Sequence, residues 1–126
     1  MAAGELMQEY GKLTPGMTAE RELPVEERLT VSHTGTPVLS TPMMISLMEK
    51  VAMNLAQGHL AAGFTTVGYE VSVRHKAPAR IGAVIKVWCR LVEVDGRKLL
   101  FDVRVTEGEK TVGEGMHRRT IIRVTG

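Results

Sequence analysis

The sequence predicts an α+β domain in which one long helix lies against a curved antiparallel sheet. Three observations predict it. The run from Thr41 to Gln57 places its apolar residues at helical spacing. After Gly63 the period changes to two, as in strands with one buried face. Asp95-Gly96 and Glu107-Gly108 then interrupt that stretch as hairpin turns do. A chain of 126 residues has room for one substantial core, so a single domain is expected.

Taken in order, residues 1–22 read as an arm or irregular lead-in, punctuated by Gly4, Gly11, Pro15 and Gly16. The domain proper is expected over 23–126. Between Leu23 and His33, the positions Val25, Leu29 and Val31 among charges predict one strand, broken by Gly35 and Pro37. The helix follows. Thr41 is placed to cap its free amides and Pro42 to occupy the first helical position, which needs no donor. Met44, Leu47, Met48, Val51, Ala52 and Leu55 form its apolar stripe, and Ser46, Lys50, Asn54 and Gln57 its wet face. Glu49 falls at the boundary between them, and Gly58 is the expected stop.

The next strand is read with Val67, Tyr69, Val71, Val73 and His75 on one face and Gly68, Glu70, Ser72 and Arg74 on the other. After the loop Lys76 to Arg80, a strand from Gly82 to Val94 sets Ile85, Val87, Cys89 and Leu91 opposite Lys86, Trp88 and Arg90. Leu99, Phe101, Val103 and Val105 mark the return strand. Thr111 to Val124 supplies the last one, bent at Gly113 or Gly115. One helix cannot cover bulk on both faces of a sheet, so a partner subunit is expected.

Composition narrows the function classes. Sixteen Lys and Arg against fourteen Asp and Glu alternate in sign along the chain, and aromatics make up only 4% of it. That pattern lacks the basic stripe and stacking platforms of a nucleic-acid surface. The single cysteine, Cys89, excludes an internal disulfide and a cysteine-rich zinc site. His33, His59, His75 and His117 are too scattered for a metal site, so no metal is expected. No apolar stretch is long enough to span a bilayer, and the first residues lack the pattern of an export signal, so a cytoplasmic protein with no membrane partner is the expectation.

Thr41 opening the helix, Glu49 eight residues later and His75 ending the next strand form a pattern. With the stretches from Gly68 to His75, Glu93 to Arg97 and Gly113 to Arg119, it resembles the hotdog-fold acyl-CoA thioesterases. Fluoroacetyl-CoA thioesterase-like proteins are the nearest group, over about residues 23–124. The resemblance implies a hotdog-fold homodimer, with a dimer of dimers left open, and coenzyme A lying at the subunit interface. It implies hydrolysis of a short or compact acyl-CoA, with coenzyme A as part of the substrate and no separate cofactor. Glu49 would be the main catalytic residue, His75 its partner and Thr41 a polarising group. Fluoroacetyl specificity does not follow, because the segment Thr36 to Ser40 before the helix has no aromatic to line a small pocket.

The residue chemistry fits. A carboxylate can activate water or attack a thioester carbonyl itself, an imidazole can orient water or shuttle a proton, and a helix start favours negative charge. Eight residues of helix rise about 12 Å, so Thr41 and Glu49 of one chain cannot hydrogen-bond directly. A site built from Thr41 of one chain and Glu49 of the other is the preferred arrangement. Gly68 and Gly82 would let backbone approach the thioester or pantetheine. Arg74, Lys76, Arg80, His117 and Arg118 would meet the phosphates of coenzyme A. Structural readings stand beside these. Glu49 also fits a boundary carboxylate paired with a cation, His75 a satisfied strand-end histidine, and the basic residues solvated strand ends. An acyl-CoA binding module without hydrolysis, or a hydratase or dehydratase on the same fold, are the rival functions.

Overall fold

The computed structural model describes residues 9–124. Strand β1 (Thr18–Pro24) is followed by a short 3-10 turn at Glu27–Leu29 and two minimal strands, β2 (Thr30–Val31) and β3 (Val38–Leu39). Helix α1 (Thr41–Gln57) comes next, then β4 (Phe64–His75), β5 (Val84–Asp95), β6 (Lys98–Glu107) and β7 (Lys110–Arg123). The five long strands form one antiparallel sheet in the order β1-β5-β6-β7-β4. The helix packs on its concave face.

The core is where the apolar periodicities meet. Met44, Leu47, Met48, Val51, Ala52 and Leu55 of α1 are buried, as are Ile85, Val87, Cys89 and Leu91 of β5 and Leu99, Phe101, Val103 and Val105 of β6. Each fully buried side chain of this size contributes roughly 1.5–3 kcal/mol of transfer free energy. The β5–β6 hairpin turns at Gly96-Arg97, with Gly96 at φ +59° and Asp95 paired to Lys98.

Three expectations need correction. The strand expected from Leu23 to His33 lies earlier: β1 begins at Thr18, and the later stretch forms the 3-10 turn and β2. The lead-in is likewise packed, since Tyr10 and Leu13 are buried. Tyr10 meets Phe64 edge-on with ring centroids 5.3 Å apart, and its hydroxyl accepts from Arg97 Nε at 3.0 Å. These anchors are isolated among glycines and prolines, so no periodicity reveals them. Residues 1–8 of the expected arm lie outside the described residues.

The second correction concerns the helix start. Ser40, not Thr41, is the cap: its hydroxyl accepts from the Met43 amide at 3.3 Å, and Thr41 is the first helical residue. The third concerns β4. Its pairing with β7 is irregular between Gly68 and Glu70, leaving Tyr69 as the extra residue of a bulge. Gly68 opposite Arg119, and Val71, Val73 and His75 beyond the bulge, therefore share one face. The expected alternation fails there, because one inserted residue flips every side chain that follows.

The two sheet edges differ. The β1 edge carries Glu20, Arg21, Glu22 and Pro24, which discourage further strand pairing. The β4 edge exposes Val67, Tyr69 and Val71 at 43%, 47% and 37%.

Candidate active site

Two clusters of chemically active side chains lie along α1. The first sits at its start. With Ser40 serving as cap, the Thr41 hydroxyl is free to meet His75, and its Oγ1 lies 2.7 Å from His75 Nδ1. The other ring nitrogen, Nε2, is buried and has no partner. Burial lowers the pKa of this imidazole, with the Ala77 backbone opposing, so the ring is neutral at pH 7. Whichever tautomer it takes, Nε2 is left with its hydrogen-bonding capacity unmet. A groove of about 330 Å³ opens here, lined by Thr41, His75, Lys76, Pro78 and the β2–β3 segment.

The second cluster surrounds Glu49. Its Oε2 lies 3.2 Å from the point where a Cβ on Gly68 would sit, and His117 Cε1 and Arg119 Nη1 lie 2.8 and 3.1 Å from the same point. Only a residue without a side chain fits between these three groups. Glu49 makes no ion pair within 4 Å among the described residues. Its carboxylate faces a cleft of about 350 Å³ shared with Ser46, Lys50, Met53, Thr66, Val67, Gly68 and Arg119.

Arg119 and His117 hold each other. Arg119 Nε donates to Thr66 Oγ1 at 2.8 Å and Nη2 to the Thr66 carbonyl at 3.0 Å, while Nη1 lies 3.2 Å from His117 Nε2. His117 Nδ1 is 2.9 Å from the Glu70 carbonyl oxygen. A carbonyl only accepts and a guanidinium only donates, so the ring carries its proton on Nδ1 and accepts at Nε2. Burial lowers the His117 pKa; the Arg119 charge adds to this, and the Glu70 carbonyl and Glu49 oppose it. Burial also lowers the pKa of Arg119, against the attraction of Glu49.

Within one chain Glu49 and His75, read from sequence as partners, lie apart: His75 bonds Thr41, and His117 is the imidazole beside Glu49. Gly68 and His75 stand seven residues apart on β4, roughly 20 Å at strand rise. His117, expected at a phosphate-binding mouth, is only 1% exposed and faces the helix. Arg118 points the other way and is held by Glu70 at 2.8 Å. Lys76 pairs with Glu114 at 3.0 Å. Arg74 and Arg80 are exposed and make no ion pair within 4 Å among the described residues. Gly82 occupies a positive-φ turn (φ +89°) before β5 with open space around its Cβ position, and it lines neither cleft. Sequence reasoning saw Arg119 only as part of the basic run His117 to Arg119 weighed for phosphates, and missed its place beside Glu49. The available signal was its place in the alternating series Gly113, Gly115, His117, Arg119 and Ile121, which share one face of β7.

Residues 17–125, which include both clusters, match the family described as fluoroacetyl-CoA-specific thioesterase (FlK). The chain belongs to this family. It is 30% identical over 87 residues to the fluoroacetyl-CoA thioesterase of Streptantibioticus cattleyicolor, spanning 69% of this chain and 63% of that protein. A solved structure of a fluoroacetyl-CoA-specific thioesterase variant with fluoroacetate and CoA superposes with a TM-score of 0.80 at 26% identity, over 89% of this chain and 97% of that one. A hot-dog-like protein from Thermanaerovibrio acidaminovorans superposes with a TM-score of 0.83 at 20% identity, over 98% of this chain and 90% of that one. The architecture is the hotdog fold: one helix packed against a curved antiparallel sheet.

Proposed function

We propose that this protein is a thioesterase that hydrolyses a short acyl-CoA to the free acid and coenzyme A. The observation that carries the reading is the unpaired Glu49 carboxylate, held against the bare backbone of Gly68 in a small cleft of a chain belonging to this family. Glu49 takes a proton from water as the water oxygen bonds to the acyl carbon. The carbon–sulfur bond then breaks, and the departing thiolate takes up a proton. A thiolate leaves readily, so the main demand on the site is to generate the nucleophile and stabilise the carbonyl oxygen.

The second half of the machinery comes from a partner subunit. The β4 edge is apolar and unpaired among the described residues, so a second copy can extend the sheet there by antiparallel pairing. If the two-fold axis passes between Val71 and Ser72, Gly68 of one chain faces His75 of the partner subunit. Each site then combines Glu49, Gly68 and Arg119 with the partner subunit's Thr41 and His75. The unpartnered His75 Nε2 and the helix start beside Thr41 are suited to the carbonyl oxygen or the leaving sulfur. Arg74 and Arg80, which make no ion pair among the described residues, suit the phosphates of coenzyme A. The outer sheet face is laced by Glu20–Lys86, Arg90–Asp102 and Arg104–Glu114 pairs, which favours a dimer over stacked dimers. No described helix is long and apolar enough to cross a membrane. Together with a coenzyme A substrate, this favours the cytoplasm.

The test is free-thiol release from acyl-CoAs of graded length, with Glu49→Gln beside wild type. Turnover of short acyl groups, falling by about 10²–10⁴-fold in the variant while coenzyme A binding persists, is the expected result. Binding without turnover in wild type points instead to an acyl-CoA binding module.

A further inference from the structure

We propose that the cleft beside Glu49 receives an acyl group ending in a carboxylate, so that the substrate is the coenzyme A half-thioester of a short dicarboxylic acid. The inference rests on the thioesterase reading and adds the chemistry of the acyl end.

Arg119 is 5% exposed, and the Glu49 carboxylate attracts it without pairing with it directly. Three of its five N–H groups are spent on neutral acceptors, namely the Thr66 hydroxyl, the Thr66 carbonyl and His117 Nε2. One N–H on each terminal nitrogen remains to donate to a ligand oxygen. No carboxylate comes within 4 Å of the guanidinium among the described residues. Glu49 Oε2 and Arg119 Nη1 lie 3.2 and 3.1 Å from one point, which keeps them within about 6 Å of each other. Burying a charge costs several kcal/mol unless an opposite charge or good acceptors meet it. Thr66 and His117 supply the acceptors and Glu49 a nearby negative charge, and a ligand carboxylate would add the direct ion pair.

The rest of the cleft agrees. Lys50, next to Glu49 on α1, lines the same space, is exposed, and has no ion pair among the described residues. Arg119 and Lys50 against Glu49 leave the lining with one net positive charge. Met53 and Val67 are the apolar side chains of its lining. The short Glu49-to-Arg119 gap lets an acyl carbon stand at Glu49 while a carboxylate one or two methylenes away reaches the guanidinium.

The experiment compares malonyl-, succinyl- and glutaryl-CoA with propionyl-, butyryl- and pentanoyl-CoA, matched in carbon number, by thiol release. Wild type is expected to favour one diacid over its matched monoacid by at least about tenfold in kcat/KM, mainly through KM. Lys50→Gln and Arg119→Gln are each expected to reduce that ratio. Lys50 is exposed, so its variant keeps the test valid if the Arg119 variant does not fold. Hydrolysis of monoacids equal to or better than diacids overturns the inference while leaving the thioesterase reading intact. If neither series is hydrolysed, the thioesterase reading fails. Calorimetric Kd values for succinyl- and butyryl-CoA then decide the acyl preference alone, and equal values overturn it.

Discussion

Gly68→Ala tests the site where its packing is tightest. Gly68 does not have a positive φ, so alanine meets no backbone objection, and the whole effect comes from one methyl group. That methyl would stand 2.8 Å from His117 Cε1, against an optimum near 3.5–4.0 Å for carbon contacts. The imidazole must therefore retreat by roughly 0.7 Å or more. It cannot do so freely, because both ring nitrogens are hydrogen-bonded, to Glu70 and to Arg119. Arg119 Nη1 and Glu49 Oε2, at 3.1 and 3.2 Å, are pressed in turn. Overpacking of this kind costs about 1–3 kcal/mol, which for a domain of this size lowers Tm by roughly 4 °C per kcal/mol. Displacing Glu49 by a fraction of an ångström is expected to reduce kcat/KM by about 10–100-fold, more than the stability loss explains at a temperature well below Tm. Thermal melts and thiol-release kinetics on the same preparation separate the two effects. An alanine variant with wild-type Tm and wild-type kcat/KM refutes the placement of Glu49, His117 and Arg119 around Gly68.

Further predictions concern the histidines, the free edge and the cysteine. His75 and His117 both have pKa values lowered by burial from the ordinary 6.5, so below that pH the unfolded chain binds more protons than the folded one. Stability is therefore expected to fall as pH drops from 6.5 toward the lowered folded values, and His117→Gln to flatten that fall; chemical denaturation at pH 5 to 8 measures it, and a pH-independent midpoint counts against neutral buried rings. The acid limb of the pH–rate profile should lie below 6.5 if neutral His75 is the working form, and kcat/KM measured from pH 5 to 8 locates it. Tyr69→Lys on the exposed β4 edge should convert a dimer to monomers by light scattering and reduce activity by about 100-fold. A fully active monomer rules out the shared site. Cys89 is wholly buried and its thiol is pushed up to about 11 by that burial, with the Ala19 backbone opposing. It should resist thiol reagents at pH 8 until the protein unfolds, and early modification of Cys89 by mass spectrometry would contradict its place in the core.

Much of the fold was legible because its signals are local and repeated. The stripe from Met44 to Leu55 and the alternation from Ile85 to Leu91 each offer several votes for one period, and both faces are buried as read. Glu49 was visible as a carboxylate at the edge of that stripe. The failures occur where one residue decides. Ser40 and Thr41 are adjacent hydroxyl residues, each able to cap, and the choice falls to the position of His75 across the groove. Tyr69 looks like an ordinary strand residue, yet it is the bulge that turns Gly68 toward Glu49. β1 carries more charge than apolar alternation, and it is held as a strand by its register with β5.

The sequence by itself determined one helix and four of the strands, and the family pattern of Thr41, Glu49 and His75. Hydrophobic period and turn chemistry act within a few residues of one another, so they can be read without knowing what packs against what. Only the tertiary structure decided which imidazole of the chain stands beside the carboxylate, that Arg119 is buried with no direct ion pair among the described residues, and that one sheet edge is guarded while the other is open. Those are relations between residues as far apart in sequence as Glu49 and Arg119, set by strand register and by a single bulge.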